Sequence, residues 1–321
     1  MKNEILHQNL MQALTQVISQ RNELVNILME FLPLEKEAAY RRLRGEVPFS
    51  FLEAAIICRK LGISLDNIIG ADSPKSRPVH IKLTEQVNPT EIDYAMLQEF
   101  VDVLSSLKGD TNSYGGEATN IIPQPLYLSY ENISKFYLFK WKYLYDTPNK
   151  TIPFKEIEIP DRLRKIQLDN VEVAQYVYDT TYIFDYLTFH YLVNDLKSFR
   201  ILNFITEDEI ALIKEDLLKV LKELEDITIS GMFPLTGNKV NIYISNMNFP
   251  TSYCYIHTKN YHISMVKAFI LNGIASLDNK IYAHLENWIR SLRRQSTLIT
   301  QSAEKERISF LKEQYSIISS L

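Results

Sequence analysis

The chain of 321 residues has few cysteines, few glycines and no surplus of basic residues. Its two cysteines, Cys58 and Cys254, fall in different predicted domains, which argues against a disulfide framework and fits a reducing compartment. Nine glycines stand against 19 tyrosines and 15 phenylalanines, which favours helix-rich structure. The formal net charge of −4 gives no overall attraction to nucleic acid, so any DNA contact would depend on a local basic patch.

Long apolar runs and familiar enzyme motifs are also missing from the sequence. No run approaches the 18 apolar residues that would predict a transmembrane helix, and residues 1–20 lack the features of a secretion signal. There is no Gly-rich phosphate loop and no Gly-x-Ser-x-Gly nucleophile elbow. These absences predict a cytoplasmic protein that is not an enzyme, needs no cofactor and has no membrane partner.

Three side chains of the kind that bind metals lie close together late in the chain: Cys254, His257 and His262. Residues 254 and 257 would point to opposite faces of a strand, because successive side chains alternate. The sequence therefore predicts no metal site there.

The most informative stretch, residues 33–69, predicts three short helices. The first, over residues 34–44, consists of good helix formers and ends at Gly45, a residue suited to a left-handed C-cap. The second covers residues 50–61 and opens with a Ser-x-x-Glu capping box. The third is short and covers residues 65–69.

The predicted helix over residues 34–44 has two unlike faces. Ala39, Tyr40 and Leu43 share an apolar stripe, and most of the basic side chains lie on the other side. Guanidinium groups pair with phosphates and with guanine edges, so a short helix of this kind suits contact with DNA. The candidate DNA contacts are Lys36, Tyr40, Arg41, Arg42 and Arg44.

This stretch resembles the later part of the lambda-repressor-like, or Xre-type, helix-turn-helix domain. The shared features are Arg44-Gly45 after the recognition helix, a Pro- and Ser-containing turn at residues 48–50, the Ala54-Ala55 pair, and Leu-Gly-Ile-Ser-Leu-Asp at residues 61–66. Upstream, a Phe-Leu-Pro-Leu connection replaces the usual glycine-containing turn. The resemblance implies that an N-terminal domain reads double-stranded DNA through its recognition helix, residues 34–44.

Two further helices, predicted over residues 4–19 and 22–32, complete a five-helix helix-turn-helix domain over residues 1–70. A linker rich in Pro and Ser is predicted over residues 71–90. Residues 91–321 are then predicted to form a larger regulatory and dimerisation domain.

The larger domain is predicted to be a helix-rich α+β structure. Residues 109–119 are expected to form a polar loop, and the ambiguous segment 171–196 has a spacing that favours helix. Alternating patterns predict strands at 154–159, 239–245, 253–258 and 263–270. The expected fold class is therefore mainly α, with a small antiparallel sheet at about residues 239–270.

The last predicted helix, residues 304–319, carries four apolar side chains at coiled-coil spacing: Ile308, Leu311, Tyr315 and Ile318. This stripe suggests a contribution to a homodimer interface. The alternative is that it packs onto its own domain.

The leading interpretation is a DNA-binding transcriptional regulator that reads an operator as a homodimer. The C-terminal domain would dimerise and respond to an unidentified small-molecule or protein effector. The alternative is a protein-interaction adaptor, which Glu35, Glu37 and Glu46 beside the arginines leave open. A third interpretation is an enzyme hidden in the aromatic C-terminal domain.

Overall fold

A computed structural model of the chain describes residues 2–18, 20–61, 63, 65–70, 80–82, 84–145, 152–259, 262–268 and 270–321. The chain divides into two compact units, Met1–Val79 and His80–Leu321. Within the described residues, no helix is both long enough and apolar enough to cross a membrane.

The first unit is a bundle of five helices. They are α1 (Lys2–Val17), α2 (Arg21–Phe31), α3 (Lys36–Leu43), α4 (Phe51–Leu61) and α5 (Leu65–Gly70). Each begins and ends within about two residues of the predicted helix, because amphipathic spacing and local stop signals define short helices well. Leu14, Leu24, Leu28, Ala39 and Ile57 form the centre of the core, each at most 1% exposed.

The second unit is built around a mixed sheet. Its strands are β1 (His80–Lys82), β2 (Tyr114–Thr119), β3 (Asp179–Asp185), β4 (Lys239–Ser245), β5 (Tyr253–His257), β6 (His262–Ala268), β7 (Asn272–Ser276) and β8 (Ser296–Leu298). Over the described part of the chain, these eight strands form one sheet in the order β1-β7-β6-β5-β2-β3-β4-β8. The central strands β2, β3 and β4 are parallel, and the other neighbouring pairs are antiparallel.

Helices cover both faces of the sheet. They are α6 (Glu91–Ser105), α7 (Gln124–Tyr127), α8 (Glu131–Tyr145), α9 (Asp161–Ala174), α10 (Thr188–Ile201), α11 (Glu207–Ser230), α12 (Asn279–Arg294) and α13 (Glu304–Ser319). The main core lies between one face and helices that include α8, α10, α11 and α13. On the other face, α12 packs through Tyr282, Ile289 and Leu292 against Ala118 and Ile183.

The predicted fold class is wrong, because the sheet is neither small nor purely antiparallel. Residues 109–119, expected to be a loop, contain β2, and residues 171–196, expected to be helical, contain β3. Both strands are covered on their two faces, so their sequences lack the alternation that identifies a half-exposed strand. The strands predicted at 239–245 and 253–258 do form, but β2 and β3 lie between them.

Two further predictions about the chain need correction. Residues 154–159 do not form a strand; Phe154–Glu156 is a single 3-10 turn. Of the linker predicted at 71–90, residues 71–79 and 83 lie outside the described residues. Its second half belongs to the second unit, because residues 80–82 pair with β7 and the Thr84 amide donates to Asn272 Oδ1 at 2.9 Å.

Helix α13 packs onto its own unit. Leu311 and Ile318 are 9% and 0% exposed in the core shared with α10 and α11, whereas Ile308 and Tyr315 are 55% and 57% exposed. The four residues therefore do not form one free coiled-coil seam. Buried Phe310 defines the packed face instead, which spacing alone did not identify.

Candidate nucleic-acid interface

Helices α2 and α3 pack against each other and are joined by residues 32–35. Leu32 is 2% exposed and has extended backbone, with φ −126° and ψ 146°. Pro33 follows and cannot continue α2. A helix-turn-helix of the family that residues 33–69 resemble has a glycine in this turn. Here the residue after α2 has no left-handed backbone, so the connection does not need a glycine.

Helix α3 ends as the sequence predicts. Gly45 has φ +77°, a left-handed conformation that glycine adopts without a steric cost. This C-terminal turn directs the chain back, and the Glu46 amide donates to Arg41 O at 3.0 Å. The Glu46 carboxylate is thereby placed beside the arginines of α3.

The candidate DNA contacts differ in their surroundings. Ala39 and Leu43 are buried and attach α3 to the bundle, while Lys36, Arg41 and Arg44 are exposed. Tyr40 is half-buried, and its hydroxyl donates to Asn22 Oδ1 of α2 at 3.2 Å. Tyr40 therefore contributes to the α2–α3 contact and has only part of its ring free for a ligand.

Arg42 has a different role from the predicted DNA contact. Its side chain is 17% exposed, and its Nη2 donates to Glu53 Oε1 at 2.8 Å. Glu53 closes the predicted capping box of α4, because its carboxylate accepts from the Ser50 amide at 2.7 Å. Burial acts to raise the pKa of Glu53, but the hydrogen bonds from Ser50 and Arg42 outweigh it and lower that pKa. The pair joins α3 to the start of α4.

The two exposed arginines of α3 are paired with carboxylates. Arg44 donates from Nε to Glu46 Oε1 at 2.5 Å and from Nη2 to Glu37 Oε1 at 2.9 Å. Arg41 Nε lies 3.4 Å from Glu46 Oε2. The hydrogen bonds to Glu46 and Glu37 raise the pKa of Arg44, and the bond from Arg44 lowers the pKa of Glu46.

These pairs leave the first unit with little electrostatic attraction to DNA in the free protein. Residues 1–70 contain eight Lys and Arg and eight Asp and Glu, and residues 71–79 add Asp72, Lys75 and Arg77, so the formal net charge of the first unit is only +1. Phosphates would have to displace Glu46 and Glu37 before they could contact Arg41 and Arg44. Exposed ion pairs are weak, so this exchange is feasible.

An apolar pair beside α3 was not anticipated as part of a site. Phe51 and Leu52, in the first turn of α4, are 80% and 69% exposed. The sequence signal was present, since a capping box places both residues in the first turn. Apolar residues in the first turn of a helix are nevertheless usually interpreted as core residues. Only the folded bundle shows that these two side chains face solvent.

The late Cys and His residues lie as the strand pattern predicts. Cys254 is on the sheet face that includes Tyr182, whereas His257 is on the opposite face, stacked between Tyr114 and His262 with ring centroids 4.4 and 4.5 Å away. Burial and His262 lower the pKa of His257. Among the described residues, no group of three His, Cys, Asp or Glu side chains is placed to hold a metal ion.

The chain matches no known family model, no curated protein and no solved structure.

Proposed function

We propose that the protein is a DNA-binding transcriptional regulator of the lambda-repressor-like type, with α2 and α3 as its helix-turn-helix. The observation that supports this best is a short helix, α3, attached by buried Ala39 and Leu43 and presenting Lys36, Arg41 and Arg44 to solvent. The protein would act in the cytoplasm as a homodimer, with the second unit providing dimerisation and response to an effector. The proposal assigns it no catalytic activity.

In the proposed complex, α3 enters the major groove of double-stranded DNA. Lys36 would contact a phosphate as a point charge, whereas Arg41 and Arg44 present planar forks that match a guanine edge or a phosphate. Glu46 lies 3.4 Å from one arginine and 2.5 Å from the other, so it holds both side chains near α3 before binding. On binding DNA, both arginines would exchange the Glu46 carboxylate for an anionic or electronegative group of the DNA.

The test begins with the full chain and sheared genomic DNA. Bound fragments are selected and sequenced, and the dissociation constant for an enriched fragment is measured by fluorescence anisotropy. The Arg41→Ala/Arg44→Ala double variant should bind roughly 10- to 100-fold more weakly while keeping the wild-type circular dichroism spectrum. Arg59→Ala is the matched control, because it removes an exposed arginine from α4. No enriched fragment, or an unchanged constant for the double variant, would refute the proposal.

A second candidate function is a protein-interaction adaptor. Two observations favour it: Phe51 and Leu52 in the first turn of α4 are exposed, and Arg44 already pairs with carboxylates. Clustered exposed apolar side chains mark protein contacts more often than DNA contacts. Under this alternative, the Phe51→Ser/Leu52→Ser variant would lose its partner, while the arginine variant would keep it and the genomic selection would enrich no fragment.

A further inference from the structure

A row of four rings lies between the sheet of the second unit and α12. Tyr114 of β2 pairs with His257 of β5 in the strand register, and His257 pairs with His262 of β6. Their rings stack in the same order, with centroids 4.4 Å apart for the first pair and 4.5 Å apart for the second. Tyr282 of α12 completes the row, because its ring stacks on that of His262 with centroids 4.5 Å apart. We name these four residues, Tyr114, His257, His262 and Tyr282, the histidine stack.

The histidine stack attaches the beginning of α12 to the sheet. Tyr282 lies in the first turn of the helix and is 5% exposed. Asn279 is the first residue of α12, and its Oδ1 lies 3.0 Å from His262 Nδ1. These two contacts join β6 to the first turn, whereas Ile289 and Leu292 attach the later turns to the sheet. A change in the charge of His262 therefore acts on the end of the helix that the stack holds.

The two central rings of the histidine stack can each take up a proton. Phenols ordinarily titrate near pH 10 and imidazoles near pH 6.5, so among these four rings only the imidazoles change charge near neutral pH. His257 Nδ1 is enclosed and has no hydrogen-bond partner among the described residues. In an imidazolium this nitrogen is a donor, and a buried donor without an acceptor is costly. If both rings were charged, they would also repel each other across the 4.5 Å between their centroids.

The charged groups around His257 do not compensate for these costs. Burial, and next the neighbouring His262, lower the pKa of His257 from its ordinary value of 6.5, and Glu286 of α12 and Asp110 of the loop before β2 only partly oppose them. Glu286 already accepts from Arg290 Nη2 at 2.7 Å, so its charge is largely matched. The stack therefore favours two neutral imidazoles.

We propose that the histidine stack is a pH-sensitive switch, which holds the first turns of α12 on the sheet when both imidazoles are neutral and releases them when the rings become charged. Because folding lowers the pKa of His257, a form with the stack opened takes up protons more readily than the closed form. The stabilisation by the stack is therefore complete above about pH 6.5 and is lost as the pH falls below that value. The switch lies wholly in the second unit and does not depend on DNA binding by the first.

Amide hydrogen exchange of the full chain at about pH 7.5 and about pH 5 tests the switch, with each rate from mass spectrometry divided by the intrinsic rate at that pH. Protection of the first turns of α12 should fall severalfold at the lower pH, whereas that of α11 should change less. The His257→Phe/His262→Phe variant keeps stacked rings that cannot take up a proton, so its protection should be the same at both pH values. His284→Gln is the matched control: it removes an exposed histidine from α12 and should respond as the wild type does.

The ratio of protection at the two pH values, taken within each protein, removes any constant effect of losing the contact between His262 and Asn279. Three results would overturn the switch: no loss of protection in the wild type, the same loss in the double Phe variant, or an equal loss over α11 and α12. If the double variant does not fold, His257→Phe decides the question, because it leaves one imidazole and keeps the Asn279 contact. That variant should lose less protection than the wild type, and an equal loss would also overturn the switch.

Discussion

Arg44 donates to two carboxylates in the free protein, and its proposed contact with DNA would depend on how readily they are displaced. Glu46 is the more important of the two, since it also pairs with Arg41. In the proposed complex, a glutamate in that position would lower the affinity for DNA in two ways: it occupies the guanidinium groups and it repels phosphate. It would therefore limit non-specific binding, which phosphate contacts dominate.

We predict that Glu46→Gln tightens DNA binding severalfold and makes the affinity more dependent on salt. Releasing Arg41 and Arg44 would add about one phosphate contact, and each contact adds about one unit to the salt slope. Dissociation constants measured over a range of salt concentrations would show both effects. Glu30→Gln on α2 is the control, as an exposed glutamate outside the network. Weaker binding by Glu46→Gln would contradict this role.

Cys254 gives a residue-level test of the environment of Glu117. Burial, followed by the charge of Glu117, raises the pKa of Cys254 to about 12, from an ordinary value of 9. The thiolate is the reactive species, so its population near pH 8 should be roughly a thousandfold lower than in the unfolded chain. We predict slow alkylation by iodoacetamide in the folded protein, with a rate that rises about tenfold per pH unit.

Mass spectrometry of the Cys254 peptide measures that rate separately from Cys58. Glu117→Gln should accelerate the reaction, because it removes the negative charge that disfavours the thiolate. Alkylation as fast in the folded protein as in denaturant would show that the pKa of the Cys254 thiol is not raised by folding.

At the scale of elements, α13 shows that one part of an apolar stripe can pack inside the chain while the other part stays exposed. Phe310 is 1% exposed and its ring centroid lies 6.1 Å from that of Tyr186, so this helix closes the main core. Its end is held by Lys214 Nζ, which donates to Ser319 O at 2.9 Å and complements the negative end of the helix. The packing inside one chain therefore uses two of the four stripe residues, Leu311 and Ile318, and leaves Ile308 and Tyr315 exposed.

We predict that Phe310→Ala destabilises the second unit by about 3 to 5 kcal/mol, the usual cost of a cavity left by a buried aromatic ring. Ile308→Ala, on the exposed face of the same helix, should change the free energy of unfolding by less than about 0.5 kcal/mol. Urea unfolding, followed by tryptophan fluorescence, measures the free energy of unfolding of both variants. Equal effects would mean that α13 does not pack through Phe310.

The missed strands β2 and β3 are the other lesson at this scale. The Gly115-Gly116 pair in β2 suggests a turn, yet Gly116 is buried, and a Cβ there would approach the Tyr255 ring to 2.6 Å. Glycine is needed there for close packing, not for a turn. In β3, aromatic and β-branched residues fit a helix as well as a doubly covered strand, so periodicity could not separate them.

For the whole molecule, the proposal requires both units. We predict that a fragment of residues 1–79 folds as a helical monomer and binds an enriched DNA fragment at least about tenfold more weakly than the full chain, because one helix-turn-helix buries little surface and recognises one half-site. Anisotropy and sedimentation of both proteins provide the comparison. Equal affinity, or a monomeric full chain, would remove the dimerisation role from the second unit.

The sequence alone determined the five helices of the first unit, the capping box at Ser50 and the left-handed end of α3 at Gly45. It also identified the chain segments of β4, β5 and β6. Each of these depends on residues within about one or two turns of each other, so local spacing and capping chemistry define them.

Only the tertiary structure decided which side chains meet across long sequence separations. Arg42 pairs with Glu53 instead of facing solvent, and Glu117 lies between Tyr182 and Cys254 because β2 inserts between β3 and β5. Strand order depends on which faces of the sheet the packed helices cover. The spacing of apolar residues within a single strand does not predict which strands will pair with it.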